Sequence, residues 1–560
     1  MLLEKYKEPL YVFSFVIILF VFLFGGVLGA GYILDDHSVI ENREELRGVS
    51  AVYKVFTLPW HQNQPWAGNY RPLTLFSYAL SLSFSESTAI LRFINIVIHA
   101  ANAALVFYLV RMFYSGKFAY FTAIGFAVLP INTGTILSLV GRSDLFSAFF
   151  ILLSIILFFK DRYGYSVLIF FLALLAKDFS IFLLPVIVLL SLFSKGHELK
   201  KTLKTALRYS LALVPYFALR YLALGTHAFN SRGSIDPIIG PLAFAGFKER
   251  MLTGFAYFYL YLRKTFLPFD LSPDYSFNQI PIPKILSPNL IIGLILLLAI
   301  LVVFFKNRDR NIKVPIIFFL VIFGAISNTV LVTTGTFAER WWYLPSVGLF
   351  WFASAFMRGW FNDKGHFKFL FYPLILAAGI YYLYASFEQA GTWTSERELF
   401  VVAAQRSPNS AWARTNLAAV YFKEKKFDLA ETEIGQSLKI TEKYPAALNI
   451  YAKLKWRNGE FKEARSAFER AVEYDLNRRN NRDLYRSLAI LMLETREYGE
   501  AERYIKNALN SLVFRDANKA IYLDNLLFGY IDALVKNKSG GLPDSEKKIV
   551  EALIAHIKGF

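Results

Sequence analysis

Residues 31–40 read GYILDDHSVI and mark the point where a long apolar run meets polar sequence. The run before them, residues 11–30, is about 20 residues long, which is the length that an α-helix needs to cross a bilayer. Asp35 and Asp36 follow it, and a long loop, 31–89, begins here. Acidic residues beside a span are often merely solvated, but a carboxylate pair at the water edge of a membrane can also supply a general base. The stretch therefore predicts a first transmembrane helix followed directly by candidate catalytic acids.

The composition of the chain indicates a membrane protein. Of its 560 residues, 55% are hydrophobic and the mean hydropathy is +0.39, which excludes an ordinary soluble protein. The formal charge of +18 could suggest nucleic acid, but most of the positive excess lies in residues 1–387, where short basic loops fix the orientation of membrane helices. We therefore expect no nucleic-acid partner. The sequence contains no cysteine, which excludes disulfides and thiolate metal sites.

Apolar segments of near-membrane length recur along the first part of the chain. We predict eleven spans, at 11–30, 90–110, 118–137, 143–159, 164–176, 179–194, 205–225, 288–305, 314–332, 341–357 and 368–386. Lys and Arg cluster in alternate loops, which places the N-terminus in the cytoplasm and, after an odd number of spans, the C-terminal part outside. We expect the first helix to be retained, because no small-residue cleavage signal precedes Asp35. Residues 241–267 are expected to form an interfacial or re-entrant helix, because a crossing there would reverse the charge pattern.

The loops on the predicted outer face carry charged residues at the depth of the helix ends. Ionisable groups at such positions are costly unless they pair or bind a ligand. Arginine suits a phosphate, because its planar guanidinium donates two parallel hydrogen bonds. Together with the carboxylates, these residues predict a site for a lipid-phosphate leaving group and an acceptor hydroxyl that arrives from water. The charged residues are Arg71, Arg142, Asp144, Lys177, Asp178, Glu339 and Arg340.

Two features of the first outer loop have alternative interpretations. His37 and His61 could bind a divalent cation together with Asp36, but no fixed ligand spacing supports this, so the metal stays unknown. Aromatic residues of the same loop could stack on a sugar, and an interfacial aromatic belt explains them equally well. These aromatic residues are Trp60, Trp66 and Tyr70.

Towards the C-terminus the sequence changes to charge-rich amphipathic helices that repeat. Ala430, Ala464 and Ala501 mark three copies, spaced by 34 and 37 residues. A 34-residue period with small residues at helix crossings is the tetratricopeptide signature, in which helix pairs stack into an α-solenoid. We therefore predict an all-α protein with a membrane helix bundle before the repeats. The predicted division is a membrane domain over 1–387, a junction over 388–404 and a repeat domain over 405–560 that ends in a degenerate helical cap at 520–560.

Six segments of the chain form an ordered set of motifs. They are LDDHSVIENREEL (34–46), NYRPLTLFSYAL (69–80), RFINIVIHAANAALVFYL (92–109), FAVLPINTGTILSLVGRSDLFSAFF (126–150), LLAKDFSIFLLP (174–185) and ERWWYLPSVG (339–348). Taken in this order, they resemble a known family, the transmembrane and tetratricopeptide-repeat O-mannosyltransferases and their bacterial relatives. The resemblance implies a GT-C membrane glycosyltransferase fold, a location in the bacterial plasma membrane, and a donor in which a mannose-like hexose is linked to a polyprenyl or dolichyl phosphate. Departures from the family pattern are Asp178, where relatives often carry Glu, and Asn132, where many have His.

The resemblance also implies roles for particular residues. Asp35 corresponds to the catalytic base, with Asp36 beside it, and Arg340 and Arg71 match the arginines that hold the lipid phosphate. The implied reaction is an inverting transfer to hydroxyl groups of proteins on the extracytoplasmic side, with the repeats recruiting the acceptor. Two alternatives stay open. One is a non-catalytic, membrane-anchored repeat scaffold for envelope proteins, and the other is a GT-C enzyme that modifies a lipid or a polymer.

Overall fold

The protein is built from α-helices in two compact units, residues 1–408 and 409–560. The computed structural model describes residues 2–48, 50–61, 67–229, 235–283, 287–333, 335–363, 368–475, 481–497, 499–501, 503–504 and 507, and these contain no β-strand. The first unit contains α1 (Leu2–Phe24), α2 (Ala51–Lys54), α3 (Pro72–Leu82), α4 (Thr88–Arg111), α5 (Gly116–Ala127), α6 (Thr133–Leu137), α7 (Arg142–Phe159), α8 (Tyr163–Ala176), α9 (Leu183–Leu189), α10 (Leu199–Ser210), α11 (Leu213–Leu224), α12 (Phe247–Phe266), α13 (Pro288–Lys306), α14 (Arg310–Ile326), α15 (Tyr343–Asp363), α16 (Lys368–Gly391) and α17 (Glu396–Arg406). The second unit contains α18 (Ala411–Lys423), α19 (Phe427–Ile440), α20 (Pro445–Arg457), α21 (Phe461–Tyr474) and α22 (Asn481–Glu494).

Several helices of the first unit are long and apolar enough to cross a membrane. Four segments of the described residues qualify, and α5 with the helical stretch Pro130–Leu137 makes a fifth if this pair, bent by 51°, counts as one span. The protein is therefore a membrane protein, but the eleven predicted spans are not confirmed. The four segments are Lys7–Phe24, Thr88–Arg111, Leu139–Phe159 and Pro288–Lys306.

One membrane prediction is wrong in its local structure. The predicted span 205–225 is two helices, because the backbone turns at Leu211 and Ala212 between α10 and α11. The segment at 241–267, predicted to be an interfacial or re-entrant helix, contains one unbroken helix of 20 residues, α12, and its interfacial position stays a prediction. Helices α12 and α13 approach closely, since a Cβ on Gly293 would lie 1.9 Å from the Phe255 carbonyl oxygen.

The centre of the first unit is α4, which packs against α1, α5 and α7. Its buried polar residues bond across these contacts, and His99 is an example, with Nδ1 2.7 Å from the Tyr343 hydroxyl and Nε2 3.2 Å from the Ala127 carbonyl oxygen. The start of α7 is held in equally close contact, because a Cβ on Gly141 would lie 2.1 Å from the Thr135 carbonyl oxygen. Only glycine fits there, so Gly141 fixes where α7 begins.

The predicted first outer loop, residues 31–89, folds into short helices over its own apolar core. These are His37–Glu41, Glu44–Leu46 and Val55–Thr57, together with α2. Trp60 and Tyr78 are fully buried in this core, and burying a large apolar side chain stabilises a fold by about 1.5–3 kcal/mol. The loop is therefore a packed cap that can hold side chains in fixed positions. Its core residues are Val39, Ile40, Leu46, Ala51, Val55, Trp60, Leu75, Tyr78, Ala79, Leu82, Leu91 and Leu139.

The second unit stacks helix pairs with the period that the sequence predicts. The pair α18 and α19 is followed by α20 and α21, and the first helices of the two pairs begin 34 residues apart, at Ala411 and Pro445. Ala430, Ala464 and Ala501 are all completely buried, as crossing points require. The first helix of a third pair is α22, and the predicted cap at 520–560 lies outside the described residues.

Candidate active site

A cavity of about 430 Å³ lies in the first unit, where the ends of several helices meet. It is bordered by the turn after α1, the starts of α3 and α7, the break after α8, part of α11 and the segment before α15. Six of the nine residues predicted from sequence line it, although they come from five separate places in the chain. These six are Asp35, Arg71, Asp144, Lys177, Asp178 and Arg340.

The two adjacent acids, Asp35 and Asp36, have different environments. Asp35 is exposed and lines the cavity, whereas Asp36 is completely buried. Asp36 accepts hydrogen bonds from the backbone N–H of Ile33 (3.2 Å) and of Val140 (3.1 Å). Burial raises the pKa of Asp36 to about 7, against the lowering effect of these hydrogen bonds and of Arg92. Asp36 therefore holds the turn in place, while Asp35 faces the cavity.

The turn that presents Asp35 is held from two further directions. In α4, Arg92 donates to the carbonyl oxygen of Gly31 (2.7 Å), of Leu28 (3.2 Å) and of Ala30, and so satisfies backbone acceptors of the segment that follows α1. Leu34 adopts φ of +57°, which is unusual for a residue other than glycine and changes the direction of the chain just before Asp35. Its N–H lies 3.3 Å from the carboxylate of Glu396.

Two arginines in the cavity have no carboxylate partner among the described residues. Arg71 precedes α3, whose first residue is Pro72, and its guanidinium lies 4.7 Å from the centre of the Trp60 ring. It donates one hydrogen bond to Ser143 Oγ (3.2 Å), and its Nε is buried without a partner. Arg340 is exposed on the cavity wall. A pair of unneutralised guanidinium groups is suited to an anion, and above all to a phosphate.

The other cations of the cavity are paired. Lys177 Nζ contacts Asp144 Oδ1, and Arg220 Nη1 lies 2.9 Å from Asp178 Oδ2. Burial lowers the pKa of Lys177 to about 8, with Arg71 and Arg340 acting in the same direction and Asp144 opposing them. The sequence prediction did not include Arg220, because it lay inside a predicted span. The available signal was a charged residue inside an otherwise apolar segment, which is costly unless it pairs or binds a ligand.

The remaining two predicted residues do not line the cavity. Arg142 is completely buried, where it donates to Asn95 Oδ1 (2.9 Å) and to the Leu91 carbonyl oxygen (2.8 Å). Glu339 accepts from the Ser272 N–H (2.7 Å) and from the hydroxyl of Tyr275. Burial raises the pKa of Glu339 to about 7. Both residues fix the segments that carry their neighbours, and neither reaches the cavity.

The alternative roles proposed for the first loop are not what its geometry favours. His37 contacts Glu41 and Glu396, while His61 lies 3.3 Å from the Ser38 hydroxyl and lines the cavity. Burial is the largest influence on the pKa of His61 and lowers it. No group of three or more His, Asp or Glu side chains converges as a metal site within the part of the chain that the structure describes. Asp36, with both oxygens engaged by backbone N–H groups, does not fit the predicted set of cation ligands.

Trp60 and Tyr70 of the first loop are buried and pack against residues that line the cavity. Trp60 is 2% exposed and lies under Arg71, and Tyr70 is buried with its hydroxyl donating to the Phe56 carbonyl oxygen (2.8 Å). Neither of these rings offers a free face to a sugar. Trp66 lies outside the described residues. Trp341 is half-buried and lines the cavity next to Arg340, so a ligand can reach it.

Comparison with known proteins finds relatives that are named protein O-mannosyl-transferases. A Caenorhabditis elegans protein named protein O-mannosyl-transferase F38B6.6 is 26% identical over 70% of this chain and 57% of its own length. The human protein O-mannosyl-transferases TMTC3 and TMTC1 are 22% and 23% identical, over 72% and 76% of this chain and 48% and 54% of their own lengths. The chain thus spans about half the length of these curated relatives. No protein-family model matches it.

Solved structures give weaker matches. A solved structure of Pseudomonas aeruginosa pilF is 20% identical in sequence, and the match covers 30% of this chain and 80% of the pilF chain with a TM-score of 0.21. The Cut9–Hcn1 hetero-tetramer is 11% identical, covers 87% and 92%, and has a TM-score of 0.22. TM-scores this low do not establish a structural relationship with either protein. The sequence relatives, by contrast, confirm the family resemblance that the motifs predict.

Proposed function

We propose that this chain, a relative of the TMTC protein O-mannosyl-transferases, is a membrane glycosyltransferase that moves a mannose-like hexose from a polyprenyl or dolichyl phosphate to protein hydroxyl groups. One observation carries the proposal. The cavity places an exposed carboxylate, Asp35, in the same space as two arginines that have no carboxylate partner among the described residues, Arg71 and Arg340. A base and an anion site in one cavity are the two groups that such a transfer needs.

The proposed reaction is a single displacement with inversion. A Ser or Thr hydroxyl oxygen attacks the anomeric carbon of the hexose and forms the new glycosidic bond. The bond between that carbon and the phosphate oxygen breaks, and the electron pair leaves with the lipid phosphate. Asp35 takes the hydroxyl proton, and general-base catalysis of this kind contributes roughly 10²–10⁴-fold in rate.

The leaving phosphate is proposed to bind to Arg71 and Arg340. Both guanidinium groups are in place before the reaction, so they can stabilise the developing negative charge without reorganising. Lys177 adds a third positive charge from its pair with Asp144. We derive no step through a divalent cation, because the two other aspartates of the cavity already contact Lys177 and Arg220.

Part of the cavity lining is apolar and is proposed to receive the lipid end of the donor. Phe179, Phe182 and Phe217 line it together with Leu331 and Val332. A donor that carries a charged phosphate and a polyprenyl chain needs both kinds of surface next to each other. The mixed lining therefore supports a lipid-linked sugar over a soluble nucleotide sugar.

We further propose that the repeat unit recruits the acceptor protein and that it lies with the cavity on the extracytoplasmic side of a bacterial plasma membrane. Stacked helix pairs of the tetratricopeptide type commonly present extended binding surfaces. This assignment explains why a transferase carries repeats, which an enzyme acting on a lipid or a polymer would not need.

The test is turnover by the purified full chain in lipid nanodiscs with polyprenyl-phosphate mannose and a Ser/Thr-containing protein. Mass spectrometry measures the glycosylated acceptor, and chromatography measures the released polyprenyl phosphate. We expect Asp35→Asn to abolish both products while donor binding persists. Glu44→Gln is the matched control, since Glu44 is an exposed acid of the same loop. Unchanged turnover by Asp35→Asn would contradict the proposed base, and product with a lipid acceptor alone would contradict the proposed substrate.

A further inference from the structure

Helix α10 has three distinct faces. One face carries Thr202, Thr205 and Tyr209, which are buried in the first unit. Because successive residues of an α-helix are rotated by about 100°, residues four apart drift by only about 40° and form a stripe. The two other faces of α10 are stripes of this kind, and both are exposed.

The first exposed stripe is made of leucine. Leu199, Leu203, Leu207 and the following Leu211 are 66%, 59%, 63% and 60% exposed. Four large apolar side chains in a continuous row are more than the scattered exposure that a soluble surface shows. The stripe therefore requires an apolar environment outside the protein.

The second exposed stripe is basic and borders the first. Lys200, Lys201, Lys204 and Arg208 lie on it, and all four are exposed. The acid nearest in sequence, Glu198, precedes the helix. A row of cations beside a row of leucines is complementary to a surface whose outer layer is anionic and whose interior is apolar.

We propose that α10 lies on an anionic phospholipid surface, with its leucine stripe among the acyl chains and its basic stripe on the headgroup phosphates. The helix has 12 residues and carries four cations, so it is too short and too charged to span a bilayer. The apolar exposure continues past the turn into α11, where Val214 and Leu222 are also exposed. This continuity favours a lipid surface over a groove on another protein, which would end at the helix.

The absence of cysteine from the sequence makes the test direct, because each introduced cysteine carries the only spin label. Labels are placed at Leu203→Cys and Leu207→Cys on the leucine stripe and at Lys204→Cys on the basic stripe. Leu429→Cys, an exposed leucine of α19 in the second unit, is the matched control. The full chain is reconstituted in nanodiscs of phosphatidylcholine alone or of phosphatidylcholine and phosphatidylglycerol in equal parts. Collision rates with lipid-soluble oxygen and with a water-soluble nickel chelate then report the depth of each label.

In the mixed lipid we expect labels at 203 and 207 to meet oxygen and to be protected from nickel. The label at 429 should show the reverse, and the label at 204 should be intermediate. In phosphatidylcholine alone the labels at 203 and 207 should become more accessible to nickel. The double variant Lys200→Gln/Lys201→Gln should show that higher accessibility in both lipids, and unchanged thermal unfolding midpoints establish that all variants are folded.

Three results would overturn the proposal. Equal nickel accessibility at 203, 207 and 429 would mean that the leucine stripe is in water. Protection of 203 and 207 from both oxygen and nickel would mean that protein covers the stripe. Equal depth in the two lipids would exclude the anionic headgroup as the partner of the basic stripe.

Discussion

Asp36 Oδ1 accepts a hydrogen bond of 3.1 Å from the backbone N–H of Val140, which lies 104 residues later in the chain. This contact joins the turn that presents Asp35 to the segment that begins α7. It explains why two adjacent acids have different environments, since the buried acid fixes the turn that carries the exposed one. The position of the exposed carboxylate therefore depends on long-range packing of the loop 31–89 against the segment that begins α7.

Removal of the Asp36 carboxylate should disturb both stability and activity. In Asp36→Ala the buried N–H of Ile33 and the part-buried N–H of Val140 lose their acceptor, and loss of the acceptor of a buried group costs about 1–3 kcal/mol. We expect a lower unfolding midpoint in detergent and turnover reduced at least tenfold, although Asp35 is intact. Asp36→Asn should fall between Asp36→Ala and the wild type, because its amide oxygen still accepts one hydrogen bond. A wild-type midpoint for Asp36→Ala would contradict the positioning role.

The same residue predicts how stability depends on pH. The pKa of Asp36 is raised to about 7 from an unfolded value of 3.8, so the stability it contributes is complete below about pH 4 and is lost as the pH rises through 7. We expect the difference in unfolding midpoint between wild type and Asp36→Asn to shift in favour of the variant between pH 5 and pH 8. Comparison with the variant is needed because Glu339 titrates in the same range. A difference that is constant with pH would contradict the raised pKa.

Arg71 and Arg340, which have no acidic partner in the part of the chain that the structure describes, should determine how well the donor is used. Arg71→Gln or Arg340→Gln should lower kcat/KM for the lipid-linked donor by about 10²-fold, which corresponds to about 2.7 kcal/mol of transition-state stabilisation. Arg→Lys should restore only part of the loss, because lysine cannot form two parallel hydrogen bonds. Arg47→Gln is the control, since Arg47 pairs with Glu86 away from the cavity. An equal loss of kcat/KM in Arg47→Gln and Arg71→Gln would indicate a general effect of charge and would contradict a phosphate site at Arg71.

The pH dependence of donor binding should report the protonation state of Lys177. Its pKa is lowered to about 8, so it loses its proton as the pH rises through 8 and the cavity loses one positive charge. Affinity for the anionic donor should therefore fall between pH 7 and pH 9.5, as measured by equilibrium binding to nanodiscs. Lys177→Arg should keep its charge and remove most of this fall. A fall of the same size in Lys177→Arg would assign the effect to another group.

The sequence predicts the convergence of motifs better than the direction in which each side chain points. Asp35 and Asp36, Arg142 and Asp144, and Glu339 and Arg340 are neighbours in the sequence, but only one member of each pair lines the cavity. Neighbouring residues on a turn or a helix point in different directions, and which one faces a site depends on long-range packing. The close contact at Gly141 is an example, because it fixes the start of α7.

The predicted span at 205–225 is wrong for a related reason. Hydropathy suggested a span over 205–225, which placed Arg220 inside a membrane helix and removed it from the candidate site. The chain turns at Leu211 instead, and Arg220 of α11 reaches Asp178 and the Gly68 carbonyl oxygen (2.6 Å). Apolar content alone does not locate such a break, because leucine fits a membrane span and an interfacial helix equally well.

The boundary between the two units allows the role of the repeats to be tested cleanly. In the last turn of α17 and just after it, Arg406 donates to the Leu271 carbonyl oxygen (2.7 Å) and Ser407 donates to that of Asp274 (2.6 Å). Deletion of 409–560 keeps both contacts, whereas deletion of 405–560 removes them. The shorter deletion should therefore leave the stability of the first unit intact.

With 409–560 deleted, we expect turnover of a short Ser/Thr peptide to stay within about twofold of wild type, because the cavity lies wholly in the first unit. Turnover of a folded protein acceptor should fall much further, mainly through a higher KM, because a docking surface contributes binding energy rather than chemistry. With 405–560 deleted, both substrates should be affected and the unfolding midpoint should drop. Equal loss for peptide and protein in the shorter deletion, at an unchanged midpoint, would contradict acceptor recruitment by the repeats.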